Sequence, residues 1–175
     1  MSTLREIRKG TPNEKIIEMI FSELSPMLSE KDNASLFLGT LDKRNYQFTY
    51  SRSGSFYAYH QMHGRESLTE LVETQPLLTN KFNSMFQSKS TTLNQHDRIV
   101  ILTHGIVENK SKSGQIWSES QVKESIRKAP RKGVHELRNE ILFQNEKFLE
   151  GNEMDYDVTV LVAEVKDPVI KLATP

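Results

Sequence analysis

The spacing of apolar positions changes several times along the chain, and each change marks a predicted element. The densest run, Ile99-Val100-Ile101-Leu102, leads straight into Thr103-His104-Gly105. A short apolar run with a charged start and a glycine exit predicts an interior strand whose C-terminal end is presented to a site. Upstream, Ile16, Ile17, Ile20, Phe21 and Leu24 recur at helical spacing. The start signal is Thr11-Pro12-Asn13-Glu14: a hydroxyl cap, proline at the first helical position, then glutamate. Pro26 should end or kink that helix near Leu24.

Between these two stretches the pattern predicts strands over 34–41, around Tyr46-Phe48-Tyr50, over 56–62 and around 67–72. Residues 74–83 contain Pro76 and no clean period, which predicts a loop, with another strand over 84–93. After the Thr-His-Gly corner comes a polar loop over 108–115. A helix then opens at Ser118, where Gln121 completes a capping box and Trp117 can staple to Val122. Val122, Ile126 and Ala129 form its stripe and Pro130 stops it. A second helix is predicted over 134–149, ended by Gly151, and a last strand over 158–165. Antiparallel strands with segregated helices make the class α+β, most simply helices packed on a sheet or sheet pair. One domain is expected over 11–167, between a flexible tail at 1–10 and a C-terminal tail at 168–175.

Composition removes whole classes of chemistry. Lys plus Arg and Asp plus Glu both total 23, so no global field argues for nucleic acid or an anionic membrane surface. The absence of cysteine excludes disulfides, thiolate catalysis and thiolate metal sites. No apolar run is long enough for a membrane span and residues 1–10 lack the core of a signal peptide, so a cytoplasmic protein is expected. There is no nucleophile elbow, glycine-rich phosphate loop or H-E-x-x-H.

Order and motifs together resemble the SpoIIE/RsbU-like branch of the PP2C-type (PPM) bacterial phosphatases. The helix over 12–28 and the strand pair over 34–54, with Arg52-Ser53-Gly54-Ser55 at its corner, fall where that family has them. Thr103-His104-Gly105-Ile106-Val107-Glu108 is similar to the family's Thr-Asp-Gly-Val-Thr-Glu, and Tyr156-Asp157-Val158-Thr159 to its closing Asp-Asp-Ile-Thr. The resemblance implies a PP2C-like antiparallel fold and a site where two manganese or magnesium ions activate a water against a phosphoserine or phosphothreonine. Such hard ions take carboxylate oxygens.

Three departures fall on those ligands. His104 stands for the Thr-Asp-Gly aspartate, and imidazole suits zinc, copper or nickel better than magnesium. Tyr156 stands for the first closing aspartate. Asp155 is one residue early and, had the strand already begun, would face the other way. The family's upstream Gly-Gly-Asp strand has no counterpart before the first helix. His104, Gly105, Asp155, Tyr156 and Asp157 are therefore expected to mark a degenerate metal site with no intact catalytic set and no metal cofactor. The expected function is a non-catalytic scaffold in bacterial signalling, with a protein partner of sigma-regulator or sensor type and without nucleic acid or membrane. Self-association to cover a bared sheet edge is a further expectation. The alternative is an active manganese- or magnesium-dependent serine/threonine phosphatase, possibly as part of a longer chain.

Two other features have plain readings beside sharper ones. Arg127, Lys128, Arg131 and Lys132 could bind an acidic or phosphorylated partner, but cations also favour a helix C-terminus. His60 and His63 form an H-x-x-H, with His96 and His104 as further imidazoles; a zinc-dependent hydrolase is the sharp reading. On a strand and turn that spacing sends the two rings to opposite faces, so hydrogen-bonded or surface histidines are the plain one.

Overall fold

A helix whose apolar stripe needs cover and a strand pair rich in aromatics account for the first part of the chain. In the computed structural model, which describes residues 10–64, 67–130 and 133–166, α1 spans Asn13–Leu24 and passes into a 3-10 turn at Ser25–Met27. The 3-10 turn carries Pro26, as its missing N–H requires. The expected Thr11 cap is not used: Pro12, extended at ψ 147, is the cap residue, and its carbonyl accepts from Ile16 N at 3.1 Å. Strands β1 (Leu36–Asp42), β2 (Gln47–Ser53) and β5 (Lys89–Thr92) form a three-stranded antiparallel sheet in the order β1-β2-β5.

Asn13 is buried and joins this helix to the sheet. Its Nδ2 donates to Thr49 O at 2.9 Å and its Oδ1 accepts from Thr40 Oγ1 at 3.0 Å. Phe37 and Phe48 each stack on Tyr50, so these three rings serve as strand packing. The expected strand over 84–93 is shorter, because Phe86 leaves the ladder to pack on Phe21 and Phe82.

The second unit holds the described residues of 57–70 and 93–166; the first holds those of 10–56 and 71–92. The sheet of the second unit has the order β4-β3-β6-β7, from β3 (Phe56–Gln61), β4 (Leu68–Glu70), β6 (Arg98–Thr103) and β7 (Val160–Glu164). Strand β6, the apolar run of the sequence, is almost wholly buried and pairs antiparallel with β7, Leu102 opposite Val160. The last strand is shorter than 158–165. One sheet face, carrying Tyr59, Val100 and Leu102, packs with Val122 and Ile126 of α3 (Glu119–Lys128) and Leu137 and Ile141 of α4 (Val134–Leu149). Fully burying each such side chain contributes about 1.5–3 kcal/mol.

The start of α3 follows its sequence signal. Ser118 Oγ accepts from Gln121 N at 3.4 Å while Gln121 Oε1 accepts from Ser118 N at 2.9 Å. Helix α4 ends where Glu150 adopts a left-handed conformation, φ 56, followed by Gly151 at φ 77. Among the described residues no helix is long and apolar enough to cross a membrane. The tails expected at 1–10 and 168–175 lie outside the described residues, Gly10 excepted.

Candidate functional site

The antiparallel pairing of β6 with β7 brings the end of one strand to the start of the other, and the site is built there. Past Thr103 the chain turns into a four-residue helix, α2 (Gly105–Glu108), capped by His104. Thr103 binds the approaching segment on both sides: Thr103 N donates to Thr159 O at 3.1 Å and Thr159 N donates to Thr103 Oγ1 at 2.9 Å. Gly105 sits so close that a Cβ there would overlap the carbonyl oxygen of Asp157 and approach Tyr156 Cβ to 3.1 Å. Asn109, fully buried, clasps Tyr156 from both ends of its amide, donating to Tyr156 O at 2.8 Å and accepting from Tyr156 N at 2.9 Å. Asn145 of α4 supports α2 from behind, its Nδ2 donating to Ile106 O at 3.2 Å.

This clasp places 155–157 against 103–109. The His104 ring stacks on Tyr57 of β3, centroids 5.5 Å apart and planes at 19°, and its Nε2 lies 3.4 Å from Glu108 Oε1. His104, Glu108, Asp155, Tyr156, Tyr57 and Trp117 line a cavity of about 460 Å³. Asp155 therefore shares the cavity with His104, and the condition that would turn it away is not met: β7 does not begin until Val160, so no pleat fixes the facing of residue 155. Asp157 approaches through its backbone and is not among the residues lining that cavity.

Glu108 is the residue the sequence reading passed over as a site member; its position one helical turn after His104 was the available signal. Glu119, at the same cavity, accepts from Tyr59 Oη at 3.0 Å and pairs with Lys123 Nζ at 2.7 Å. Burial first, then the bond to Glu119, raises the Tyr59 phenol above its ordinary value, so it stays a neutral donor. The basic cluster at the end of α3 is already paired within its own helix: Lys128 Nζ lies 3.0 Å and Arg127 Nη1 3.9 Å from Glu124. Arg131 and Lys132 lie outside the described residues. Of the H-x-x-H, His60 is buried with Nε2 2.8 Å from Asp97 Oδ2, whereas His63 stands beside His96.

Solved structures share this architecture. The phosphatase domain of the cell fate determinant SpoIIE from Bacillus subtilis matches with a TM-score of 0.65 at 16% identity, over 93% of this chain and 70% of that one. The RsbU and RsbW domains of Rv1364c from Mycobacterium tuberculosis match at 0.73 and 19%, over 96% and 47%. The catalytic domain of the serine/threonine protein phosphatase PstP, in complex with two manganese ions, matches at 0.68 and 15%, over 95% and 78%. This chain thus spans from about half to about three quarters of those chains. The fold is that of PP2C-type phosphatase domains. Residues 2–166 match the family described as Stage II sporulation protein E (SpoIIE), and the chain belongs to that family. No curated protein matches the sequence.

These relatives correct one expectation. The absence of a metal cofactor does not hold as a reading of this fold, since PstP carries two manganese ions on it. The donors of the 104 cavity are one imidazole with the carboxylates of Glu108, Glu119 and Asp155, of which Glu119 is engaged by Tyr59 and Lys123. Among the described residues no three His, Asp or Glu side chains gather in a group that could hold an ion. That set does not fit the carboxylate-bridged ion pair of a two-metal site, which needs hard oxygen ligands at short, fixed distances.

Proposed function

We propose that this SpoIIE-family domain acts in bacterial signalling by protein contact, as a PP2C-type scaffold without phosphatase turnover of its own. The observation that carries the reading is the engagement of His104. At the position where the family motif has an aspartate, an imidazole stacks on Tyr57 and faces Glu108, so its outer edge is directed to side chains of its own fold. Tyr156, the other altered position, is held by its backbone to Asn109. The partner class is a cytoplasmic regulator of the sigma-factor type or a sensor. Its support is that an RsbU domain of this fold occurs together with an RsbW domain in Rv1364c.

A second reading is favoured by the presence of Glu108 and Asp155 at the same cavity and by the manganese of PstP: an active metal-dependent serine/threonine phosphatase whose remaining ligands come from a longer chain. One experiment separates them. The chain is incubated with a phosphoserine peptide and with p-nitrophenyl phosphate in millimolar manganese. No release of phosphate above the protein-free blank is the expected result. Turnover that is abolished in E108Q/D155N would overturn the scaffold reading and establish the second.

A further inference from the structure

None of His60, His63 and His96 lines the 104 cavity, and two of them meet elsewhere in the same unit. His96 occupies the turn before β6 in a left-handed conformation, φ 66. Its Nδ1 lies 3.4 Å from Glu164 Oε1, and the other oxygen of Glu164 accepts from Arg98 Nε at 3.1 Å. An imidazole donating Nδ1–H to a carboxylate keeps its lone pair on Nε2, the arrangement found behind metal-ligating histidines. The His63 ring stands beside it, centroids 5.1 Å apart and planes at 51°, while the His63 backbone N–H is held by Asp97 Oδ1 at 2.7 Å.

That separation has a metric meaning. An imidazole centroid lies roughly 3.2 Å from an ion bound at the usual zinc–nitrogen distance, so two rings sharing a tetrahedral ion stand roughly 5.2 Å apart. Both rings, with Gln61, Met62, Arg98 and Glu164, line a cavity of about 50 Å³, room for an ion and a water.

We propose that His63 and His96 form a two-imidazole site for a borderline-soft divalent ion, zinc foremost. Glu164 orients His96 from behind. Since no three His, Asp or Glu side chains gather among the described residues, water completes the coordination. The positive charge of Arg98 is balanced by Glu164, with which it is buried. Imidazole donors select zinc, nickel or copper over magnesium and manganese, which separates this site chemically from the metals of the PP2C fold. A bound ion ties the turn after β3 to the turn before β6 and stabilises the folded chain by mass action.

The test titrates the metal-stripped full chain with zinc by calorimetry and with cobalt(II), whose visible absorption reports coordination. One ion per chain and a tetrahedral cobalt spectrum are expected, with zinc moving the ring resonances of His63 and His96 but not of His104. H63A and H96N should each weaken zinc at least tenfold; asparagine tolerates the left-handed turn, so H96N keeps the backbone. E164Q should weaken it about tenfold through His96. H104A should leave the zinc affinity unchanged. Failure of the unmodified chain to bind zinc at a hundredfold excess would overturn the proposal, as would ring shifts at other histidines, or a loss in H104A with H96N unaffected.

Discussion

Removing the carboxylate of Asp97 should cost more stability than any other single truncation near β6. Asp97 is 1% exposed and is the acceptor for its own turn, through Asn94, and for the end of β3 and the turn after it, through His60 and His63. Its Oδ1 takes His63 N at 2.7 Å; its Oδ2 takes Asn94 N and His60 Nε2, each at 2.8 Å. In D97A these donors, with Asn94 Nδ2 at 3.4 Å, lose their partner inside the fold, and breaking a buried charged contact of this kind costs about 3–5 kcal/mol. D97N is milder, because its oxygen can occupy the Oδ2 position and keep His60 and Asn94, leaving the His63 N–H facing an amide NH2. One orphaned donor costs about 1–3 kcal/mol. Burial alone would raise the Asp97 pKa, but the N–H groups of Asn94 and His63 and the bond from His60 outweigh it and hold the carboxyl below its ordinary value. A depressed folded pKa means the unfolded chain takes up the proton first as pH falls. The stabilisation is therefore complete at neutral pH and is lost progressively once pH drops below about 4, so the gap between wild type and D97N should narrow there. Urea unfolding followed by the fluorescence of Trp117, the single tryptophan, measures both effects. A D97A loss below about 1 kcal/mol, or a D97N gap that widens in acid, would refute the reasoning.

Two further outcomes concern the clasp beneath the candidate site. G105A should lose about 1–3 kcal/mol through overpacking, because the added methyl meets the Asp157 backbone rather than a flexible side-chain end. Thermal melting checks this, and an unchanged melting temperature would mean 155–157 yields freely. N109A orphans both the backbone N–H and the backbone carbonyl of Tyr156, and should cost about 2–4 kcal/mol while raising hydrogen exchange at Tyr156 N–H.

What the sequence revealed and what it hid divide by the range of the interaction involved. The capping box at Ser118, the helix over 134–149 and the interior run at 99–102 rest on neighbours within four residues, and each was legible from spacing alone. The end of α1 at Pro26 belongs with them. Asn13 did not stand out, since its buried role depends on Thr40 and Thr49 of two other elements. The strand expected over 84–93 failed for the same reason: Phe86 is claimed by Phe21 and Phe82, a choice that local propensity does not contain. At the site, the motif order was enough to expect 155–157 beside His104. It was not enough to set the facing of Asp155, which depends on where the last strand starts, five residues on at Val160. The His63–His96 pair lies furthest from any spacing rule. It exists because a turn after β3 and a turn before β6 come together only when those strands are neighbours in the sheet. The H-x-x-H follows its plain reading, in which the two rings part company: His60 goes to a buried carboxylate and His63 to an imidazole more than thirty residues on. Chemistry in this domain is assembled at strand ends, where sequence neighbours diverge and distant segments meet.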